Sequence, residues 1–528
     1  MQLPSALQLP LVAVILSPLL FLALVFFYRR AYRSPIADIP GPLLAKFGCL
    51  WQIWVTIRGQ VGPDIVKLHH EHGPFVRVAH NEVSIAHPDA IQQVLRSNMD
   101  KGPWYDIMAI PDSRFPNQMS ERSAKVHIQK QKNLAAGYSL SNIIKSEPYI
   151  DNLLSLFRSR LSTLAANHAP VDWDYWLDYL TFDVVGEVTF SKQFGFLAQG
   201  QDIADAIKNQ TILTIYLAVM AYFPWAHNYL LANPLIEKLG LQPAMHVLDT
   251  CNAAIVQRSS NDKVRKDMIE QWLEQHRNHP DRMPASEIFA AVCITVGAGA
   301  DTVSAALQAL LYYLLRTPDA LALLRKELDT ANLSDIPTFA ETSNLPVLQS
   351  CIKETLRYHG PIAVSLPRVA PPDGITICNR FFPARTILSV HPYALQYLPE
   401  IYGPDFDTFR PQRWLEASES KLQSMEKCLI PYGAGYNGCP GQHLARLELC
   451  KTTALIVRDF EWEQVVPGKP FRCAYHFAAV PHDWPCFIKV RQAGRLSGVT
   501  GVEEGGVVGF KTIGKVANGN GITNGVAG

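Results

Sequence analysis

The stretch SEIFAAVCITVGAGADTVSAALQALLYYLLR, residues 286 to 316, constrains this chain more than any other. It predicts one long helix, capped by Ser286 and stopped before Pro318. At about 1.5 Å per residue such a helix reaches roughly 45 Å, enough to cross a whole domain. It is apolar nearly all round, so it belongs in an interior with other helices wrapped about it. Gly297 and Gly299 stand at its middle, each costing about 1 kcal/mol against alanine. A buried helix accepts that where something must approach its backbone closely. Asp301 and Thr302 follow directly. They read either as a hydrogen-bonded pair in a tight helix crossing or as a reactive pair in an apolar wall.

The rest of the chain agrees with a mainly helical fold. Helical periodicity covers 148 to 166, 172 to 190, 203 to 222, 318 to 331, 346 to 359 and 441 to 458. Two strand-like runs, 74 to 87 and 374 to 390, are set among turn residues. No β-α-β alternation is present, so a mostly α architecture with small sheets follows. The net charge of +1 gives no electrostatic case for nucleic acid as a partner. The ten cysteines include no C-x-x-C pair, which argues against a zinc site or redox dithiol. Most then read as buried thiols of a reducing compartment.

The two ends differ from the middle. Residues 1 to 28 carry no charged side chain, and Arg29, Arg30 and Arg33 follow. The apolar run 11 to 28 spans roughly 27 Å, one bilayer core. A cleaved signal peptide is the competing reading, but no small-x-small cleavage site follows. Residues 1–28 are therefore expected to anchor the chain in a membrane, with the remainder cytosolic by the positive-inside rule. An Arg/Pro-rich linker, 29–44, is stiffened by Pro40-Gly41-Pro42. The catalytic domain is expected over 45–492, followed by a Gly-rich disordered tail, 493–528.

Three further motifs carry chemistry. Glu354 and Arg357 lie three apart in LPVLQSCIKETLRYHGP and share a helix face. FRPQRW, with Arg413, comes next, and then PYGAGYNGCPG. There Cys439 sits at the start of a helix, where the dipole and free amides favour thiolate. Gly433, Gly435, Gly438 and Gly441 let the loop turn its amides toward the sulfur. An anionic sulfur with fixed donors suits an axial ligand of haem iron.

These motifs in this order, AGADT, ETLR, FRPQRW and YGAGYNGCPG, resemble the cytochrome P450 family, in particular its anchored fungal members. The resemblance covers about residues 40 to 490. It implies a triangular prism of helices with small β-sheets around a buried haem b, with Cys439 as iron ligand. It implies a structural triad of Glu354, Arg357 and Arg413, and a distal wall where Asp301 and Thr302 relay protons toward the reacting oxygen. It also implies electrons from NADPH through NADPH-cytochrome P450 reductase, and an endoplasmic reticulum membrane location.

Three positions depart from the family pattern. Tyr432 replaces a Phe, and Asn437 replaces the Arg that reaches a haem propionate. Gln131 falls where a second propionate Arg is usual. Arg368, His127 and Lys130 or Lys132 are the candidate replacements. The apolar, aromatic stretch 211 to 240 matches the region that roofs the family's pocket, which implies a lipophilic substrate. Fungal relatives of this type tailor secondary metabolites. The alternatives are a reductase-independent haem-thiolate isomerase or dehydratase, or a non-catalytic membrane-anchored haem-binding protein.

Overall fold

The computed structural model describes residues 5–240, 245–259 and 265–491. The Gly-rich tail expected over 493–528 lies outside the described residues. About 59% of the chain is helical, and the strands are short: β1 (Phe75–Ala79), β2 (Glu82–Ile85), β3 (Leu366–Val369), β4 (Ile375–Ile377), β5 (Arg380–Phe382), β6 (Ile387–Val390), β7 (Phe460–Gln464), β8 (Arg472–Tyr475), β9 (Ala479–His482) and β10 (Cys486–Val490). One sheet has four strands in the order β1-β2-β6-β3. Only its β2–β6 pair is parallel. The pairs β4–β5, β7–β10 and β8–β9 are two-stranded and antiparallel.

The central helix runs Ala285–Arg316. It is long and apolar enough to cross a bilayer, but most of it is buried inside the protein. Its N-cap is Pro284, which offers no side-chain acceptor. The expected cap Ser286 therefore sits inside the first turn, where Pro284's extended backbone has already set the direction of entry.

The helix Trp173–Phe190 packs along the central one. A Cβ on Gly299 would lie 2.8 Å from Val185 Cγ2. The close approach demanded by that glycine is thus made by a neighbouring helix. Gly297 is held differently: its carbonyl accepts a 3.0 Å bond from Gln210 Nε2.

The N-terminal helix runs Ser5–Tyr32, four residues past the end of the expected anchor. Leu20, Phe21, Leu22, Leu24 and Phe26 are exposed on it. Its last carbonyls are held by a buried arginine. Arg77 Nη1 donates to Ala31 O at 2.9 Å and Nη2 to Arg30 O at 2.8 Å, the C-terminal capping that a guanidinium suits. The stretch read as a linker, 29–44, is packed rather than free. Ala31, Ile36 and Ile39 are buried, and Arg77 N donates to Pro40 O.

Candidate active site

The cysteine loop is built by backbone geometry. Gly433 and Gly435 have φ of 70° and 71°, a left-handed conformation that side chains resist. A Cβ on Gly435 would strike the Leu95 carbonyl. Gly435 therefore fits the loop to its neighbour and does not line the cavity. The turn lets Cys439 N donate to Tyr432 O at 2.7 Å, and the helix Gln442–Asp459 starts three residues later. The amides of Gly441 and Gln442 bond to the Cys439 sulfur.

Burial pushes the Cys439 thiol above its usual 9.0, and the two amides only oppose the rise. Protein surrounds the residue, yet its sulfur face opens onto a cavity. A metal ion bound at the sulfur would ionise it, because a coordinating thiol loses its proton.

That cavity measures about 300 Å³. Gly297, Ala298, Asp301 and Thr302 of the central helix line one side. Tyr432, Gly433, Asn437, Cys439 and Gly441 line the other. Thr302 Oγ1 donates to Ala298 O one turn back at 2.9 Å. Burial, then the Asp174 charge, raises Asp301 from 3.8 to about 7. Its carboxyl can therefore exchange a proton near neutrality.

One edge of the cavity is rich in nitrogen donors. His127 lines it, and Nδ1 of His127 is buried without a hydrogen-bond partner. Burial and then the Lys101 and Arg368 charges push this imidazole down to about 3, so it is neutral. Arg368 is buried behind Tyr436, 5.6 Å from the ring centroid, and its Nε has no partner. The His127 and Tyr436 rings meet edge to face at 5.2 Å. Lys130 is a correction: its Nζ pairs with Glu287 Oε2 at 3.3 Å and donates to Pro116 O, away from the cavity. The central helix holds it through an acid in its first turn.

Lys101 was missed in the sequence. It is fully buried, its strand bridge to Arg368 puts it in the same cluster, and burial pushes it down to about 6. It sits in an irregular segment, where no period marks a residue as special. Glu448 was missed too. It lines the cavity with both carboxyl oxygens unpartnered, and burial raises it well above 4.5. Among the described residues of the expected roof, 211 to 240, only Thr214 reaches this cavity, while Trp225 and Tyr229 are exposed.

Glu354, Arg357 and Arg413 are brought together in one buried cluster. Glu354 Oε1 accepts from Arg357 Nη2 at 2.7 Å and from Arg413 Nε at 2.9 Å. Arg357 Nε, Trp414 Nε1 and the Arg410 amide complete five donors, each at 2.9 Å. Burial alone would lower Arg357, but the Glu354 bond and charge outweigh it and raise the guanidinium. Such a buried cluster holds only because every lone pair and N–H is answered.

The donor set fits a haem. A soft sulfur faces an apolar slot, His127 lines that slot with Nδ1 unpartnered, and the unpartnered Nε of buried Arg368 lies next to it behind Tyr436, nitrogen groups that haem carboxylates would need. The family model of cytochrome P450 matches residues 39–478. The chain belongs to the cytochrome P450 family. It is 32% identical over 477 residues to a cytochrome P450 monooxygenase of Aspergillus flavus, covering 86% of this chain and 93% of that one. A cytochrome P450 monooxygenase of Emericella nidulans is 31% identical over 488 residues, 89% of this chain and 97% of its own. Another, from Penicillium brevicompactum, is 31% identical over 464 residues, and the chain spans only 54% of its length. As a P450, the protein is an oxidoreductase that incorporates oxygen from O2, with a haem-thiolate iron.

Proposed function

We propose that the chain is a membrane-anchored monooxygenase that inserts one oxygen atom into a lipophilic small molecule of fungal secondary metabolism. The observation that carries this is a cavity with Cys439 on one wall and Asp301 and Thr302 on the other. Cys439 would hold the haem iron, and His127 and Arg368 would take the haem carboxylates. Bound there, haem supplies dioxygen activation, with NADPH electrons passed on by a partner reductase. The residues do the rest. Thr302 holds a hydroxyl at the distal wall, and Asp301, one residue before it, supplies protons near neutral pH. Trp104, Ile294, Leu366 and Phe477 make the remaining wall apolar, which favours a lipophilic substrate by excluding water.

The helix Ser5–Tyr32, with Leu20, Phe21, Leu22, Leu24 and Phe26 exposed, supports a single-pass anchor in the endoplasmic reticulum with the domain cytosolic. Exposed Trp225, Tyr229 and Leu230 suit the same lipid surface.

The test is the absorbance of the dithionite-reduced, carbon-monoxide-bound protein in detergent. We expect the red-shifted Soret band of a thiolate ligand, lost in Cys439→Ala. A band typical of neutral axial ligands, or no haem in folded protein, overturns the assignment. Substrate-stimulated NADPH consumption with a reductase then separates a monooxygenase from a reductase-independent isomerase or a haem-binding protein.

A further inference from the structure

The central helix and the helix Trp173–Phe190 run antiparallel, and their contacts fall in register. Gly299 meets Val185. One turn further, Ser304 bonds to the Asp178 carboxyl. Beyond it, Gln308 Nε2 reaches Asp174 Oδ1 at 3.4 Å and Ser304 Oγ at 3.3 Å. Asp174 and Asp178 are four apart and Asp301, Ser304 and Gln308 are three and seven apart, so each set lies on one face. The two faces form a polar seam inside an otherwise apolar helix pair.

The seam has an inner and an outer end. At the inner end Asp301 lines the cavity. At the outer end Asp174 Oδ2 is 2.6 Å from His482 Nδ1, and the His482 side chain is 30% exposed. Trp484 Nε1 donates to Gln308 Oε1 at 3.3 Å, which turns the Gln308 amide nitrogen toward the acids. Asp178 stands between and is half-buried.

We propose that this seam is the route by which protons reach Asp301 from solvent, in the order His482, Asp174, Asp178, Asp301. The inference rests on the reading of Asp301 as proton donor to the oxygen reaction. The balance is simple. Water protonates His482 at Nε2, and the Nδ1 proton passes to Asp174. Asp174 passes a proton to Asp178 through one bridging water, as acids one turn apart require, and Asp178 reloads Asp301. Each group gives one proton and takes one, so one proton crosses from bulk to cavity.

The charges along the seam suit transfer. Burial, then Asp174 and Asp301, holds Asp178 well above the usual carboxylate value, with Asp202 adding to the rise. Burial pulls His482 down, but Asp174's bond and charge outweigh it and raise the imidazole, with Arg472 opposing and Asp483 adding. Asp172 and Tyr175 flank the outer end. Asp178 and Asp174 touch no substrate and act through Asp301 as positioning and relay groups.

The experiment uses the full-length, haem-loaded protein with a reductase and an oxidised substrate. Asp178→Asn should lower kcat at least about ten-fold, part of the 10²–10⁴ that a proton-transfer group contributes. KM should stay unchanged, the solvent deuterium isotope effect should rise, and Asp178→Glu should restore both. Infrared titration of the resting protein gives a readout apart from turnover. The carboxylic-acid band of Asp301, identified by its loss in Asp301→Asn, should titrate at lower pH in Asp174→Asn, where the charge that raises it is gone. His482→Gln, nearer the surface and easier to fold, should remove the neutral-range step of the pH–rate profile. Normal turnover and isotope effect in both Asp178→Asn and His482→Gln, with Asp301→Asn crippled, would overturn the route while leaving Asp301 in its role. Normal values in Asp301→Asn as well would overturn the role itself.

Discussion

Glu354 on one hand and the pair Asp301 and Asp178 on the other are carboxylates held on opposite principles. Behind Cys439, Glu354 accepts five hydrogen bonds and faces two guanidiniums. On the distal side, burial first and neighbouring acids second raise both Asp301 and Asp178 above the usual carboxylate range. The first arrangement fixes one charge state and one geometry. The second leaves the charge state open, at some cost to the fold. A carboxylate surrounded by donors is a structural part, and one surrounded by carboxylates is a proton store.

The largest effect that could break this contrast is Glu354→Ala. It leaves Arg357 and Arg413 buried without their common partner and should cost about 3–5 kcal/mol, read as a fall in the urea unfolding midpoint. A loss below about 1 kcal/mol would mean that the carbonyls of Gln396, Phe406 and Thr408 suffice for Arg357.

Asp301→Asn should act the other way. Product formed per NADPH should fall about 100-fold, with little change in the folded fraction. Because the folded carboxyl is raised from 3.8 to about 7, the folded state binds more protons between those values. The wild type therefore loses stability as pH rises through that window, and the variant should not. Parallel urea titrations across it check the sign; a wild type that gains on Asp301→Asn as pH rises contradicts the assignment.

Gly299→Ala tests the packing that brings the distal acids together. Its Cβ would meet Val185 at 2.8 Å, and about 1–3 kcal/mol of stability should be lost. Gly299→Ala with Val185→Ala should recover most of that loss. The smallest pair of effects sharpens the cavity edge. Arg368→Leu should loosen haem, seen as faster Soret decay on dilution, whereas Lys130→Met should leave haem retention unchanged because Lys130 serves Glu287.

Regular and local features were legible in the sequence. The central helix, the helix Trp173–Phe190 and the cysteine-loop helix announce themselves by period, and Glu354, Arg357 and Arg413 by motif. What escaped depends on contacts between distant segments. Lys101 and Arg368 meet only because an isolated strand bridge joins two loops. Lys130 looked available on its own helix, and only the packing of the central helix shows its charge already answered. Ser286 has the chemistry of a cap, but Pro284 begins the helix first. Glu448 shows a subtler failure. A single Glu in an amphipathic run gives no sign that its face turns toward a cavity instead of water.

The buried Arg77 has a mechanical consequence. It grips the last carbonyls of the N-terminal helix while its own amide binds Pro40, and a Cβ on Gly41 would collide with the Arg77 carbonyl. The helix is therefore a handle bolted to the body, not a string tied to it. Any surface that seizes the helix also sets the pitch of the domain, and with it the direction from which molecules meet the cavity.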